Sequence, residues 1–242
     1  LEIAVASRAP GTVVLEGQGN TEFGGMWLLS RQYLAPPSRA NPLVCCLGTS
    51  VTEDYLSWAL WLSYVMGWDV YNVGVGASGI LADASGTRTK QIDRSNDFTE
   101  ADFVLGIDEN GINDDNASLY STYDYPTVKD EFGNAYREVI EAWFTAHPDS
   151  PFIGWGPFWP HATPTQTLYA IRDAKQQVLS EFDKTAFIDT LTPSMIQGRR
   201  SEGSYPASDY IKADNTHPTE TGQLFIGSRL AAEVERILRT LL

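Results

Sequence analysis

Cysteine and histidine are both scarce in this 242-residue chain, which contains two of the first and three of the second. The cysteines, Cys45 and Cys46, are adjacent in an apolar run that is typical of a β-strand, so their side chains should point to opposite faces of a sheet. That geometry argues against a structural disulfide, and the pair says nothing about a redox compartment. The histidines are scattered and no Cys/His spacing fits zinc, so no metal set is predicted and few rival bases exist.

Apolar runs long enough to cross a bilayer are also missing. The longest, such as Leu43 to Leu47 and Phe103 to Ile107, fall far short of a transmembrane span, so the sequence predicts a soluble protein. It opens with neither an initiator methionine nor a signal-peptide pattern, so we expect Leu1 to be a processed or excised start. The localisation stays open, with a secreted or extracellular protein favoured.

Basic residues are few. The 17 Lys and Arg against 31 Asp and Glu give a formal net charge of -14 at pH 7. Such a charge repels phosphate backbones and anionic membrane surfaces, which argues against nucleic-acid binding. It favours a neutral or cationic substrate, although acidity that serves only solubility would explain it equally well.

Two stretches of the chain differ in character. Residues 1–42 contain a short strand pattern over Thr12 to Leu15, several glycines, and prolines at 36, 37 and 42, which together predict a β-rich N-terminal extension or linker. No charged or low-complexity block interrupts residues 43–242, which are long enough to bury a sizeable core. We therefore predict one main domain there.

From residue 43 onward, apolar strand-like runs alternate with amphipathic stretches of helix length. This alternation predicts βαβ units and a five-stranded parallel sheet with helices on both faces. The predicted strands are Leu43–Leu47, Val70–Val73, Phe103–Ile107, Phe152–Trp155 and Ala186–Ile188. The predicted helices are Tyr55–Met66, Val128–His147, Gln166–Phe182 and Thr219–Leu242.

Ser50 lies where the first of these strands ends. Ligands bind outside the carboxyl ends of the strands in open α/β sheets. A helix that follows the serine would add unpaired N–H groups and a positive dipole end, which can stabilise an oxyanion. Taken alone, the position suits a helix N-cap just as well.

Two further runs change the balance. Asp214 and His217 are three residues apart in a short loop that Pro218 stiffens. His217 can take the proton of a serine hydroxyl, and Asp214 can fix the tautomer of the imidazole. Asn113, in a Gly-Ile-Asn-Asp run after the third predicted strand, can donate its amide to an oxyanion. Although Asn in such a run is alone more typical of a turn, the combination predicts a hydrolytic site around Ser50.

With these residues, the chain resembles the SGNH hydrolase superfamily, also called the GDSL esterases and lipases. By position, Ser50 matches the family's nucleophile and Asn113 the asparagine of its third block. Asp214 and His217 match its closing Asp-x-x-His. The resemblance spans about Leu43 to Leu242. It implies that residues 43–242 form a catalytic domain with a flavodoxin-like three-layer α/β/α sandwich and a five-stranded parallel sheet, acting without a cofactor.

The resemblance also implies an oxyanion hole made of the Ser50 N–H, the side-chain amide of Asn113 and one backbone N–H of the second block. In the run from Asn72 to Gly79, Ala77 stands where the family's oxyanion glycine aligns, and Gly76 is the alternative assignment. Only a backbone N–H is required there, so an alanine with ordinary φ and ψ can serve.

The first block departs from the family pattern. It usually begins Gly-Asp-Ser, whereas this chain has Gly48-Thr49-Ser50, and Asp54 stands in place of the usual glycine four residues after the serine. The nucleophile is kept, but the aspartate that normally precedes it is missing, and the effect of Thr49 on the local geometry is open.

The same runs also allow other functions. Gly74, Gly76 and Gly79 satisfy the Gly-x-Gly-x-x-Gly dinucleotide fingerprint, but they follow the second strand instead of the first, and no clear helical stripe comes next. The Gly48-Thr49-Ser50 run could cradle the phosphate of FMN at a helix start. That hypothesis leaves Asp214 and His217 unexplained. A non-catalytic module that only retains the fold is a further alternative.

The sequence thus predicts a serine-dependent carboxylic ester hydrolase without metal or cofactor. We expect it to remove a short acyl group such as acetyl, possibly from a carbohydrate, and expect Trp155, Trp159 and His161 to contact the substrate. A lipase, thioesterase or acyltransferase of the same fold is the alternative. The partner is then an ester substrate, and the oligomeric state stays open.

Overall fold

Strands and helices alternate along most of the chain. The computed structural model describes residues 3–5, 13–15, 41–83, 90–99, 101–158, 165–191, 210–212, 214 and 216–241. Its strands are β1 (Ile3–Val5), β2 (Val13–Leu15), β3 (Leu43–Leu47), β4 (Asp69–Asn72), β5 (Leu105–Asp108), β6 (Phe152–Trp155) and β7 (Thr185–Ile188). Its helices are α1 (Ser50–Glu53), α2 (Trp58–Met66), α3 (Asn96–Thr99), α4 (Tyr125–Ala146), α5 (Gln166–Leu179) and α6 (Glu220–Leu241).

Strands β3 to β7 form one parallel sheet in the order β4-β3-β5-β6-β7. The strand order reverses beside β3, as in the flavodoxin-like version of the doubly wound fold. The predicted fold class and the five predicted strands are therefore confirmed. Strands β1 and β2 form a separate antiparallel pair. The rest of the predicted N-terminal extension lies outside the described residues, so it stays a prediction.

Side chains of β3 alternate between two apolar layers. Val44 and Cys46 belong to a core shared with α2 and α6, whereas Cys45 and Leu47 belong to a core shared with α4 and α5. Both thiols are free and buried, so the prediction that they point to opposite faces is confirmed. Each fully buried large apolar side chain in such a core contributes about 1.5–3 kcal/mol. The sheet is thus held between two helical layers.

Two helices begin three residues away from their predicted starts, and α6 begins one residue later than predicted. Helix α4 starts three residues earlier, because the carboxylate of Asp124 caps it by accepting from the N–H of Thr127 at 2.9 Å. Helix α2 starts later, at Trp58, because the preceding residues form a turn in which Asp54 accepts from the N–H of Leu56. Apolar periodicity does not report such caps and turns.

Strand β5 carries a buried ion pair. The carboxylate of Asp108 lies 2.7 Å from Nζ of Lys175 on α5, and both side chains are fully buried. The same ammonium donates to the carbonyl oxygens of Asn110 and Trp155, each at 2.7 Å. It therefore ties α5 to the carboxyl ends of β5 and β6.

We expect Lys175→Met to lower the free energy of unfolding by about 3–5 kcal/mol, because it leaves a buried carboxylate without its counter-charge. The double variant Lys175→Met/Asp108→Asn should lose less, since neither charge remains. Urea unfolding of both proteins measures the difference. Equal losses in the single and double variants would show that the pair is not the source of the effect.

Candidate active site

Ser50 is held at the carboxyl end of β3 by a short turn. Thr49, and not Ser50, caps the following helix, with its hydroxyl oxygen accepting from the N–H of Val51 at 3.3 Å. Helix α1 has only four residues, so the helix that was expected to lend its dipole is too short to contribute much. The N–H groups of Val51, Thr52 and Glu53 donate to Thr49, so among the described contacts only the N–H of Ser50 is left for a ligand.

A chain of hydrogen bonds runs from Ser50 to His217 and on to Asp214. The Ser50 Oγ lies 2.8 Å from Nε2 of His217, and Nδ1 of the same ring lies 2.8 Å from an Asp214 oxygen. The other Asp214 oxygen accepts from the N–H groups of His217 and Thr216, each at 2.9 Å. Three of the residues predicted from separate runs are thus brought together.

The charge on Asp214 determines which nitrogen of the His217 imidazole carries the proton. Partial burial raises the pKa of Asp214, but the N–H groups of His217 and Thr216 and the ring of His217 lower it more, and the net pKa is about 2. The carboxylate is therefore ionised at neutral pH and only accepts hydrogen bonds. A neutral imidazole beside it carries its proton on Nδ1, so Nε2 is left to accept from the Ser50 hydroxyl.

The loop that carries His217 is braced on both sides. The carbonyl oxygen of His217 accepts from Lys212 N–H at 2.7 Å, and Tyr210 accepts from Thr219 N–H at 2.9 Å. Pro218 forms an isolated bridge with Ile211 and precedes helix α6, which begins at Glu220. These contacts attach the segment that carries His217 to residues 210–212.

Helix α6 is pinned to the region that follows Ser50. The buried amide of Gln223 donates to the carbonyl oxygen of Val51 at 2.9 Å and accepts from the N–H of Trp58 at 2.8 Å. Gly227 allows a close helix crossing, because a Cβ there would lie 2.7 Å from the Trp58 carbonyl oxygen. The base-bearing loop and the serine-bearing turn are therefore attached to a common support.

Asn113 and Asp114 connect the loop after β5 to residues 78–82, which follow β4. The amide of Asn113 donates one N–H to the carbonyl oxygen of Ser78 at 2.8 Å, and its amide has a second N–H to donate. The buried carboxylate of Asp114 accepts from the N–H groups of residues 80–82 at 2.8–3.0 Å. Burial raises the pKa of Asp114, while these three N–H groups oppose the shift. Sequence reasoning missed Asp114, although it ends the Gly-Ile-Asn-Asp run.

Ala77 has a left-handed backbone, with φ of 61°. Ala77 therefore does not meet the condition of an ordinary φ, and glycine would be less strained at this position. Gly76, the alternative oxyanion donor, gives its N–H to a carboxylate oxygen of Glu53 at 2.7 Å. Of the two candidates, Ala77 is the one whose N–H is not directed at Glu53.

A buried glutamate that sequence reasoning missed lies behind the Ser50 turn. One oxygen of Glu109 accepts from the N–H of Thr49 at 2.9 Å, from its hydroxyl at 2.8 Å and from the hydroxyl of Thr52 at 3.0 Å. Burial raises the pKa of Glu109 to about 7, although these hydrogen bonds and the charge of Lys175 oppose the shift. The signal in the sequence was a charged residue directly after an apolar strand.

Of the three residues predicted to contact the substrate, only Trp155 lies within the described residues. Trp155 is 0% exposed and packs edge-on against Trp58 with 5.3 Å between ring centroids, so it belongs to the core and cannot contact a substrate. Trp159 and His161 lie outside the described residues. Two other aromatic residues on the connections at this edge of the sheet are exposed, Tyr55 by 54% and Tyr123 by 41%.

Within the part of the chain that the structure describes, no group of three or more His, Cys, Asp and Glu side chains could hold a metal ion. In the same residues, no helix is both long and apolar enough to span a membrane. An apolar cavity of about 410 Å³ opens at the opposite edge of the sheet, where Pro42, Trp68 and Val104 line it.

The chain matches no family model and no curated protein in sequence. It is similar in structure to a family two carbohydrate esterase from Clostridium thermocellum in complex with cellohexaose, with a TM-score of 0.63 and 18% identity over 85% of this chain and 67% of that one. It is also similar to an acetyl xylan esterase from Butyrivibrio proteoclasticus, with a TM-score of 0.58 and 10% identity over 81% of this chain and 64% of that one. A third similar structure is a putative lipolytic protein of the G-D-S-L family from Desulfitobacterium hafniense. Its TM-score is 0.57 and its identity 15%, over 79% of this chain and 99% of that one.

These similarities show a shared fold. The chain has the SGNH hydrolase-like fold that its sequence resembles. It spans about two thirds of the length of the two carbohydrate esterases, and nearly the whole length of the G-D-S-L protein.

We expect Ala77→Gly to raise the free energy of unfolding by up to about 1 kcal/mol, because relief of the left-handed alanine outweighs the added backbone freedom. Thermal unfolding of this variant measures the effect. Ala82→Gly, at a buried neighbouring position whose φ is not positive, is the matched control and should be destabilising. Destabilisation of both variants by the same amount would contradict the strain at Ala77.

Proposed function

We propose that this protein is a serine-dependent carboxylic ester hydrolase. The observation that carries the proposal is the continuous chain of 2.8 Å contacts from the Ser50 hydroxyl through His217 to the Asp214 carboxylate. A serine with a base in hydrogen-bond reach, and a third group that orients the base, is the arrangement that activates a hydroxyl for attack on a carbonyl.

The proposed reaction proceeds in two acyl-transfer steps. Ser50 Oγ attacks the ester carbonyl while His217 Nε2 accepts its proton, and the imidazolium then protonates the leaving alcohol as the carbonyl–oxygen bond breaks. A water molecule, deprotonated by His217, then attacks the acyl-serine. The bond from the acyl carbon to Ser50 Oγ breaks, the imidazolium returns the proton to that oxygen, and the acid is released. Asp214 stabilises the imidazolium in both steps.

The developing oxyanion needs donors at the same edge of the sheet. We assign this role to the N–H of Ser50, the N–H of Ala77 and the side-chain amide of Asn113. The contact from Asn113 to the Ser78 carbonyl supports the assignment, because it fixes the amide plane without using both of its N–H groups.

The substrate we propose is a carbohydrate with a short acyl group such as acetyl. The structures of similar fold include carbohydrate esterases, one of them an acetyl xylan esterase. Exposed tyrosines such as Tyr55 suit a sugar face.

An FMN-binding function has less support. The N–H and hydroxyl of Thr49, which would face a phosphate, already donate to the carboxylate of Glu109. A buried carboxylate at this point would also repel a phosphate group.

Ser50→Ala and His217→Ala should each abolish hydrolysis of p-nitrophenyl acetate and of acetylated xylo- and cello-oligosaccharides, while the melting temperature stays close to that of the wild type. An organophosphonate probe should label the wild-type protein but not Ser50→Ala, because only an activated serine reacts. Ser228→Ala, an exposed serine on α6, is the control and should behave as wild type. Substantial activity in a pure Ser50→Ala preparation would exclude Ser50 as the nucleophile.

The pKa of Asp214 is about 2, so its carboxylate should stay ionised from pH 4 to 9 and support the imidazolium over that whole range. Asp214→Asn should therefore lower kcat at every pH in the range, since the amide no longer stabilises the imidazolium. The measurement is kcat and kcat/KM from pH 4 to 9 for both proteins, and a kcat equal to that of the wild type would speak against this role of Asp214.

A further inference from the structure

We propose that Glu109 is a positioning residue for the nucleophile, and that it supplies from strand β5 the carboxylate that the first block lacks at residue 49. The proposal rests on the proposed function, in which Ser50 attacks the ester. It assigns Glu109 no contact with substrate. Its role is to hold the turn that aims the Ser50 hydroxyl at His217.

The contacts of Glu109 bracket Ser50 on both sides. A single carboxylate oxygen accepts from the N–H and the hydroxyl of Thr49, at 2.9 and 2.8 Å, and from the hydroxyl of Thr52 at 3.0 Å. Residue 49 precedes the serine and residue 52 follows it by two. Fixing both positions to one atom restricts the backbone dihedrals of Ser50 and therefore the direction of its side chain.

The turn is packed closely around this oxygen. A Cβ at Gly48 would lie 2.7 Å from the Glu109 oxygen and 2.1 Å from the Thr52 hydroxyl, so only glycine fits there. The hydroxyl of Thr52 also accepts from Nε1 of Trp58 at 3.0 Å, and its carbonyl oxygen accepts from Asn72. Thr52 is thus fixed from α2 and β4, and Glu109 fixes it from β5.

The cost of burying Glu109 argues that it is retained for more than stability. Its side chain is fully buried, and among the described residues its second oxygen has no hydrogen-bond partner. A buried carboxyl group with an unpaired oxygen is destabilising unless its other contacts compensate. Lys175 is paired with Asp108, the last residue of β5, so within the part of the chain that the structure describes Glu109 has no ion-pair partner of its own.

The two residues also complement each other chemically. In the Gly-Asp-Ser pattern the carboxylate stands on the residue before the nucleophile, whereas here Thr49 offers a hydroxyl donor and Glu109 is the acceptor. Because the N–H of residue 49 donates to the same oxygen, residue 109 has to present an acceptor there. The amide oxygen of a glutamine can take that place, whereas a leucine side chain cannot.

The test compares Glu109→Leu, Thr49→Val and Glu109→Gln. The first two remove the acceptor or one of its donors and should each lower kcat roughly tenfold to hundredfold with KM changed by less than about twofold, because a misdirected hydroxyl affects reaction more than binding. Glu109→Gln keeps an oxygen that can accept at the same place, so it should have a higher kcat than Glu109→Leu. The rate of organophosphonate labelling should follow kcat in all three.

Two controls separate positioning from folding. Thr49→Ser keeps both donors and should retain near wild-type kcat. Asp108→Asn removes the neighbouring buried carboxylate from the other face of β5, so it should lower the melting temperature and leave kcat of the folded protein near wild type. Wild-type kcat in Glu109→Leu, or a kcat in Glu109→Gln no higher than in Glu109→Leu, would overturn the proposal while Ser50→Ala stays inactive. Activity in Ser50→Ala would overturn the proposed function, and this inference with it.

Discussion

The register between β3 and β5 is the constraint on which the whole candidate site depends. Leu47 pairs with Asp108, and the N–H of Glu109 donates to the carbonyl oxygen of Leu47 at 3.0 Å. Both strands therefore end at the same level, and the turn that carries Ser50 lies directly beside the residue that follows β5. A slip of one residue would exchange the faces of every side chain on β5 and would direct Glu109 away from the turn.

That register also explains how two adjacent acidic residues act on different layers. Asp108 faces α4 and α5, where Lys175 neutralises it within the core. Glu109 faces the opposite side, where it meets the hydroxyls of Thr49 and Thr52. Because successive side chains of an extended segment point to opposite faces, Asp108 stabilises the packing of α5, whereas Glu109 stabilises the turn around Ser50. One strand end links the stability of the sandwich to the geometry of the site.

Much of this architecture could be predicted from the sequence, because its signals are local. The bounds of β3 and β6 match the predicted ones, and Ser50, Asp214 and His217 were selected from two short runs that meet in the structure. Other features depend on partners distant in the chain. The contact of Glu109 with Thr49 spans 60 residues, and no local pattern reports it. For Trp155, an aromatic residue at a strand end suits a pocket or a core, and only the neighbouring Trp58 decides between them.

The amide of Gln223 has a consequence for how the site holds together. The hydroxyl of Ser50 and the ring of His217 are 167 residues apart in the chain, yet α6 is fastened at Val51 and Trp58, next to the serine and only a few residues beyond the histidine. The distance between the two side chains is therefore set by the attachment of helix α6 through Gln223, and not by the length of chain that joins them. Loops elsewhere in the sandwich can change in length or composition during evolution without altering the distance from the Ser50 hydroxyl to the His217 ring.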